Sequence, residues 1–421
     1  MLHESIDRRR FLYQAAAGAV TLSAGLTGCE PKAGLPEENQ PPPAQPPLPQ
    51  AEAPAGPRLP YKGPNVILVR FGGGVRRLET IQAPEATHCP FLYHELYKKR
   101  GFLFNNIDIA STPGIDTSHG QGTLYLLTGK FDHYEDITRK PFADRYEAKI
   151  PTIFEYFRKH YDVPDHQALI INGEDRINEE FYTFSNHHLF GVRYRSTVLS
   201  LYRFKSYLLR EELKSAKLAD KEQEEKTKQL REMENKDYRV QDRRVTSPEL
   251  DAFWADWREY YGRTGLVNPR GDQVLTELAL RSIRQLRPKL MMINYQDPDY
   301  VHWGNPNFYT RAISIIDDGI RQIYNAVQAD PAYRDNTVFL IVPDCGRDNN
   351  RCMSVSFQHH FNSRSAHEIF AIAAGPGIAH SVTAVDRPRQ QIAVAAAVGK
   401  IMKFPTEHVD TAAGYLEEML L

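Results

Sequence analysis

Short apolar runs recur along the chain, and most are separated from the next by a segment with helical spacing. The runs of strand length are 65–70, 103–107, 168–172, 290–294, 337–342 and 369–373. The segments with helical spacing are 91–100, 122–128, 153–161, 273–286 and 307–328. This alternation is typical of an α/β fold with a doubly wound, mostly parallel sheet flanked by helices. It predicts one large domain over residues 61–421.

One segment, at 196–250, departs from this alternation. From Ser196 to about Arg244 it is dense in Lys, Glu, Arg and Leu and contains neither glycine nor proline. This composition predicts a long solvated helix or a helical hairpin, inserted between elements of the sheet. A charged surface helix without a binding role is the first interpretation. A cap over a site, or a contact between two copies of the chain, is the alternative.

Residues 1–29 have the pattern of an export signal. Arg8-Arg9-Arg10-Phe11-Leu12 is typical of twin-arginine signals, and Leu26-Thr27-Gly28-Cys29 resembles a lipoprotein cleavage box. The apolar stretch between them is shorter than the roughly 20 residues that span a bilayer. These features predict a lipid anchor at Cys29 and a place in the periplasm or cell envelope. An ordinary basic N-terminus is the alternative.

Residues 30–60 form a Pro- and Ala-rich linker, with Pro41-Pro42-Pro43 and Pro46-Pro47 at its centre. Such a stretch favours extended polyproline II and cannot bury a core. It is either a stiff spacer behind the lipid anchor or a disordered segment without a spacing role.

Charge and cysteine content limit the partners and the redox chemistry. The 52 basic residues nearly balance the 53 acidic ones, so the composition does not indicate a nucleic-acid partner. Beyond the anchor, Cys89, Cys345 and Cys352 make an odd number for an oxidising compartment. A Cys345–Cys352 disulfide is one arrangement, and it would remove Cys345 as a metal ligand.

Polar residues that suit metal binding follow two of the apolar runs. Asp297, Asp299 and His302 come after the run that ends at Asn294, and Asp344-Cys345 follow the run that ends at Val342. A histidine pair, His359-His360, comes later. Carboxylate, imidazole and thiolate groups are ligands for zinc, and the carboxyl ends of strands are where open α/β sheets assemble their sites. The sequence therefore predicts a divalent-metal site there.

The order Asp…His, then Asp-x-Gly, then a late histidine before Ala374-Gly375-Pro376-Gly377, resembles the alkaline phosphatase superfamily with its sulfatase-like and phosphodiesterase branches. The resemblance implies a large α/β sandwich with two adjacent metal sites, commonly zinc. It implies a first site from Asp299 (or Asp297), His302 and His359 or His360. Asp344-Cys345 correspond to the family's Asp-His pair and imply a second site of which less remains.

The N-terminal half departs from the family pattern. The family places a metal-binding Asp after its first strand, where this chain has Arg70-Phe71-Gly72-Gly73-Gly74. Counted back from Thr128-Gly129, the position of the family nucleophile is His119. Thr117 and Ser118 lie one or two residues away and are the candidate hydroxyl nucleophiles. The maturation motif of sulfatases is missing, so a standard sulfatase is not expected.

Three hypotheses follow for the function. The first is an exported, metal-dependent hydrolase of small anionic phosphate or sulfate esters. The second is a non-catalytic binding protein on the same scaffold. The third is altered one-metal chemistry, with His119 as general base or direct ligand.

Several residues near the predicted site have two interpretations. Four basic residues follow the strand-end loops, where they either bind an anionic substrate or are solvated at the surface: Arg76, Arg77, Lys130 and Arg347. Tyr300 and Trp303 either line a pocket or pack against the helical insertion.

Overall fold

The computed structural model describes most of the chain beyond residue 56, and all statements below concern these residues. The described ranges are 57–136, 146–173, 182–184, 189–215, 218–234, 247–264, 271–303, 305–348, 357–360 and 363–421. The predicted export signal, the lipid anchor at Cys29, the linker up to residue 56 and Cys352 lie outside them.

A nine-stranded mixed sheet forms the centre of the domain, with the strand order β10-β2-β9-β8-β1-β7-β5-β6 and with β11 also paired to β2. Its strands are β1 (Asn65–Phe71), β2 (Gly101–Asp108), β5 (Ala168–Asn172), β6 (Thr197–Ser200), β7 (Leu290–Asn294), β8 (Thr337–Pro343), β9 (Glu368–Ala374), β10 (Val382–Ala384) and β11 (Arg389–Gln390). All pairings are parallel except those of β9 with β2 and β8. A separate antiparallel pair joins β3 (Glu135–Asp136) and β4 (Tyr146–Glu147).

Helices follow most of the strands along the chain. They are α1 (Arg77–Thr80), a π-helix (Phe91–Tyr97) that continues into α2 (Lys98–Arg100), α3 (His119–Thr128), α4 (Ile153–His160), α5 (Leu201–Ser215), α6 (Asp220–Glu234), α7 (Pro248–Thr264), α8 (Asp272–Leu286), α9 (Pro306–Ala329), α10 (Arg364–His367) and α11 (Ala393–Met402). Short 3-10 turns include Asp297–Tyr300, directly after β7.

The core has two layers because both faces of the sheet are buried. In β1, Val66 and Leu68 join the hydrophobic cluster that includes α3, α4 and α11, whereas Ile67 and Val69 join the cluster that includes α7, α8 and α9. Successive side chains of a strand point to opposite faces, so one apolar run supplies both layers. The predicted doubly wound, mostly parallel sheet flanked by helices is confirmed.

The segment at 196–250 is only partly a solvated helical element. It begins with strand β6, which extends the sheet beside β5, and continues as α5 and α6. Most residues in the first half of α5 are buried, and Phe204 among them packs against Trp254 and Tyr261 of α7. The strand is only four residues long and directly precedes a charged helix, which explains why its pattern is hard to recognise in the sequence. Within the described ranges, no helix is both long and apolar enough to cross a membrane.

Candidate metal centre

The candidate site lies at the carboxyl edge of the sheet, where the loops after β1, β7 and β8 meet. β1 pairs in parallel with β7 on one side and with β8 on the other, so the three carboxyl ends lie side by side. The loop after β7 carries Asp299, the loop after β8 carries Asp344, and helix α3 begins between them with His119. The topology therefore brings together the two polar segments that the sequence predicts as one site.

Two glycines in the turn after β1 allow this close approach. Gly73 and Gly74 have positive φ values of 84° and 70°. A Cβ on Gly73 would lie 2.6 Å from the backbone nitrogen of Asp299, and a Cβ on Gly74 would lie 2.9 Å from the carbonyl oxygen of Gly346. Their N–H groups donate to the Asp344 carboxylate at 3.2 and 3.1 Å. The turn where the family pattern has a metal-binding acid serves here to hold Asp344.

Asp299 is the point on which three imidazoles converge. Its Oδ1 lies 2.6 Å from Nε2 of His119, 2.9 Å from Nε2 of His302 and 3.6 Å from Nε2 of His359. Burial alone would raise the pKa of Asp299, but the charge and hydrogen bond of His119 and the hydrogen bond of His302 hold that pKa below its ordinary value. Asp299 is therefore an ionised carboxylate at neutral pH.

His119 bridges the two carboxylates. Its Nδ1 lies 2.8 Å from Oδ2 of Asp344, while its Nε2 faces Asp299. Burial lowers the pKa of His119, but Asp344 and then Asp299 outweigh this and raise it well above the ordinary value. Without a metal, the imidazole is thus a buried cation that donates a hydrogen bond to each carboxylate.

Both carboxylate oxygens of Asp344 accept hydrogen bonds, and an arginine lies beside them. Besides the two glycine N–H groups, its Oδ1 accepts the N–H of Cys345 at 2.8 Å, and Nη1 of Arg70 lies 3.7 Å from its Oδ2. Burial would raise the pKa of Asp344, but the charge and hydrogen bond of His119, together with the charge of Arg70, lower it to about 2. Arg70 is fully buried and also donates to Thr123 Oγ1 at 2.8 Å and to the carbonyl of Tyr295 at 3.1 Å.

Of the histidine pair, His359 is the one that faces Asp299. Its Nδ1 donates to the carbonyl of Thr117 at 2.9 Å, because a carbonyl oxygen can only accept. Burial lowers the pKa of His359 to about 3, so the ring is neutral and its Nε2 carries a lone pair. This atom is buried and has no partner within hydrogen-bond distance. The His360 ring centroid lies 3.9 Å from that of His359, and burial lowers the pKa of His360 as well.

The side-chain hydroxyls of Thr117 and Ser118, the two candidate nucleophiles, each take part in a hydrogen bond. Thr117 is 2% exposed, and its Oγ1 donates to the carbonyl of His359. Ser118 is the N-cap of α3, where its Oγ accepts the N–H of Gln121 at 3.4 Å. His119, rather than a hydroxyl, bridges the two carboxylates.

Asp297 contacts the buried Asp272 and not the imidazoles around Asp299. Its N–H donates to Asp272 Oδ2 at 2.7 Å, and the two carboxyl groups share a buried region at the start of α8. Burial raises the pKa of both, and the charge of Asp297 raises that of Asp272 further.

Cys345 is a fully buried free thiol. Its Sγ lies 3.8 Å from Nδ1 of His119. Burial, and then the charge of Asp344, raise the pKa of Cys345 to about 12. The thiol is thus protonated in the metal-free site, whereas Cys352, the partner in the predicted disulfide, lies outside the described residues.

Arg347 joins the loops of the site instead of reaching a substrate or the surface. It is fully buried and donates to backbone carbonyls of three loops. The acceptors are Gly73 (2.6 Å), Gly74 (2.7 Å), Pro298 (2.6 Å), Val301 (2.9 Å) and Phe357. Two further candidate anion binders are paired with acids, Arg76 with Glu79 and Arg77 with Glu368.

Two aromatic residues stand at the edge of the site. Tyr300 is 75% exposed and Trp303 is 66% exposed, so burial against the insertion is not their role. The Trp303 ring centroid lies 5.7 Å from that of His302. An organic group bound beside His302 would meet this indole.

Comparisons with known proteins bear on the fold. No protein-family model and no curated protein sequence matches this chain. Among solved structures, the lipoteichoic acid synthase LtaP from Listeria monocytogenes is similar, with 12% identity and a TM-score of 0.51 over 86% of this chain and 77% of that one. The alkaline phosphatase PafA is similar with 11% identity and a TM-score of 0.52, over 87% of this chain and the whole of that one. This chain therefore shares the fold of these two proteins.

On this alkaline-phosphatase-like scaffold, the residues present fit a divalent metal. Donor atoms of His119, Asp299 and His359 lie within 4.8 Å of one another, as do those of His119, Asp344 and Cys345. The first group includes the orphaned lone pair of His359 and an ionised carboxylate, which is the donor chemistry that zinc prefers. In the second group, the Asp344 oxygens already accept several hydrogen bonds.

Neither the contact of Arg70 with Asp344 nor that of Asp272 with the Asp297 segment is predicted from the sequence. Arg70 ends the run Asn65-Val66-Ile67-Leu68-Val69-Arg70, and a charged residue inside a buried strand requires a buried partner. That requirement was the available signal for the ion pair with Asp344. Asp272 lies in the first turn of a helix that the sequence does predict, but its contact with the Asp297 segment depends on the tertiary structure.

Proposed function

We propose that this protein is a metal-dependent hydrolase of small anionic esters, namely phosphate or sulfate esters. The observation that carries the proposal is the convergence of three imidazole Nε2 atoms on the ionised Asp299, at the carboxyl edge of an alkaline-phosphatase-like sheet. Perturbed titratable groups that converge at this edge are typical of an active site in an open α/β fold.

Asp299, His302 and His359 would hold one divalent ion, with zinc the best match to two imidazoles and a carboxylate. When bound, such an ion supplies Lewis-acid polarisation of an ester oxygen and lowers the pKa of water. The chain itself prepares the ligands. Thr117 O fixes the tautomer of His359 through its Nδ1–H, and Arg347 holds the loop that carries Asp299.

The charge of the centre favours an anionic substrate. Two ionised carboxylates, Asp299 and Asp344, face the buried guanidinium groups of Arg70 and Arg347. With a divalent ion added, the centre carries a net positive charge in a region of low dielectric constant, where electrostatic attraction is stronger than in water.

The test is turnover by the full-length protein, stripped with a chelator and reloaded with zinc, on panels of aryl phosphate, phosphodiester and aryl sulfate. Turnover is expected with at least one class, with loss on chelation and in Asp299→Ala. His380→Ala, which alters an exposed histidine, is the matched control. A zinc-loaded wild type that releases nothing from any panel would contradict the proposal.

A second candidate is a non-catalytic binding protein, favoured by the presence of His119 where the family pattern has its nucleophile. Such a protein would bind phosphate, sulfate or an aryl phosphonate without turnover. Isothermal titration calorimetry, carried out with the same zinc-loaded protein, separates the two. Binding of the anions with no hydrolysis supports this candidate, whereas steady turnover excludes it.

Export by the twin-arginine route and anchoring at Cys29 complete the proposal, on the sequence patterns at 8–12 and 26–29. Mass spectrometry of the mature protein tests both. A lipidated Cys29 at the N-terminus is expected, and Arg8→Lys/Arg9→Lys is expected to retain the unprocessed precursor. An unmodified N-terminus that begins at Met1 would contradict this.

A further inference from the structure

His119 has a tautomer and direction that suit a metal ligand. Its Nδ1 faces Oδ2 of Asp344 at 2.8 Å, so the proton on Nδ1 has a fixed acceptor. Its Nε2 then faces Asp299, on the same side as the Nε2 atoms of His302 and His359. A carboxylate behind an imidazole is a frequent arrangement in zinc sites, where it orients the ring and increases its basicity.

The donor spacing is compatible with a single ion. In a tetrahedral zinc site the donors lie about 3.3 Å apart, given zinc–nitrogen distances of about 2.0–2.1 Å. The three imidazole nitrogens lie 2.6, 2.9 and 3.6 Å from Asp299 Oδ1, and the donor atoms of His119, Asp299 and His359 all lie within 4.8 Å of one another. The fold therefore presents four donors from two loops and one helix, and all three imidazoles face Asp299.

The region beyond His119 is already charge-balanced. Asp344 accepts N–H groups of Gly73, Gly74 and Cys345, and the fully buried guanidinium of Arg70 lies 3.7 Å from its Oδ2. A second divalent ion on Asp344 would have to displace these bonds and lie close to a buried positive charge, at a high electrostatic cost.

We propose that this chain holds one metal ion, not two, and that His119 is its fourth protein ligand beside Asp299, His302 and His359. Asp344 and Arg70 are positioning residues that orient His119 and take the place of a second metal site. The inference concerns metal binding alone and is tested without ester turnover. Four protein ligands complete a tetrahedral zinc site, so turnover by the proposed hydrolase would require a fifth coordination position at the ion.

Metal content and coordination of the purified full-length protein test the inference. Apo protein is titrated with zinc, the bound metal is measured by mass spectrometry, and X-ray absorption counts imidazole ligands in the wild type. One ion per chain and three imidazoles are expected. Two ions per chain at saturation, two imidazoles, or no bound metal would each overturn the inference.

Variants give a second readout. His119→Ala and His119→Gln are each expected to lower the affinity for zinc at least tenfold and to change the absorption spectrum of the cobalt(II)-loaded protein. Asp344→Asn is expected to lower the affinity for zinc about 10- to 100-fold, as is typical when a carboxylate that orients a ligating histidine is removed. His380→Ala is the control. Circular dichroism shows whether each variant is folded. If a variant does not fold, the number of imidazole ligands counted in the wild type tests whether His119 binds the metal. Unchanged affinity and spectrum in folded His119 variants would overturn the proposal, whether or not the wild type hydrolyses any ester.

Discussion

Arg70 and Asp344 form an ion pair in which neither side chain has any exposed surface, with Nη1 3.7 Å from Oδ2. Arg70 is the penultimate residue of β1, and Asp344 follows the neighbouring strand β8. A buried ion pair of this kind contributes little to the free energy of unfolding, because desolvating both charges offsets their attraction. Removing one partner, however, leaves an uncompensated charge in the core.

Arg70→Met is therefore expected to lower the free energy of unfolding by about 3–5 kcal/mol, because it leaves Asp344 buried with less compensation. Urea denaturation of the metal-free protein measures this. The control is Arg321→Met, which breaks a half-exposed pair with Asp318 and is expected to cost less than about 1 kcal/mol. Equal effects of the two substitutions would show that Arg70 does not compensate Asp344.

The stability of the metal-free protein is expected to depend on pH through His119 and Asp344. The folded-state pKa of His119 lies above its ordinary value, so its contribution is complete below about pH 6.5 and is lost as the pH rises through the folded pKa. The pKa of Asp344, about 2 when folded, lies below its ordinary value. Its contribution is complete above about pH 4 and is lost as the pH falls towards 2.

Urea denaturation of the wild type and of His119→Gln at pH 6 and pH 9 measures the contribution of His119 to the free energy of unfolding. The difference in the free energy of unfolding is expected to be larger at pH 6 than at pH 9. A difference that grows with pH would mean that His119 is neutral in the folded protein.

Gly73→Ala is expected to destabilise the protein by more than the roughly 1 kcal/mol of a simple positive-φ penalty, because its Cβ would meet the Asp299 backbone at 2.6 Å. Gly377→Ala is a matched control, since Gly377 also has a positive φ of 75° but nothing lies within 4 Å of its Cβ position. Thermal unfolding of both variants compares them. If the two lose the same stability, the close approach of the loops is not as the structure has it.

Arg347→Lys is expected to cost at least about 3 kcal/mol, because an ammonium cannot reach five carbonyl groups on three loops and each buried acceptor left unpaired costs about 1–3 kcal/mol. Arg334→Lys, at an exposed arginine that donates to the carbonyl of Gln328, serves as control with an expected change within about 0.5 kcal/mol. Urea denaturation measures both. A change at Arg347 as small as that at Arg334 would refute its role in joining the loops.

Ser118→Ala separates a helix cap from a nucleophile. As the N-cap of α3, Ser118 is expected to contribute about 0.5–2 kcal/mol to stability, and its loss should leave most of the turnover of an active wild type. The free energy of unfolding and the initial rate on the best ester are measured on the same preparation. Loss of turnover by orders of magnitude in a folded variant would instead assign Ser118 the role of nucleophile.

The sheet could be predicted from the sequence because its strands are buried on both faces. A run such as Asn65–Arg70 has a pattern that depends only on local composition, and the alternation with helices then favours one topology. Strand β6 could not be recognised in this way, since four residues beside a charged helix carry too little pattern.

For the site, the chemistry of individual residues was readable but their grouping was not. Asp299, His302, Asp344 and a histidine of the pair at 359–360 were candidates by residue type and by their position after strands. Which ring of that pair faces Asp299 depends on how the loop packs against Thr117, a contact between residues 242 positions apart. The hydrogen bond from the Asp297 N–H to the Asp272 carboxylate likewise joins two segments that only the tertiary structure brings together.

Local sequence alone determined the layered α/β architecture and the edge of the sheet where the polar residues collect, because strand and helix periodicity are short-range properties. Only the tertiary structure decided that His119 lies between Asp299 and Asp344 and that Arg70 balances the latter. Those contacts join residues 180 to 274 positions apart, from the end of β1 and the start of α3 to the loops after β7 and β8. Their electrostatics depend on burial and distance, which no pattern of neighbouring residues specifies.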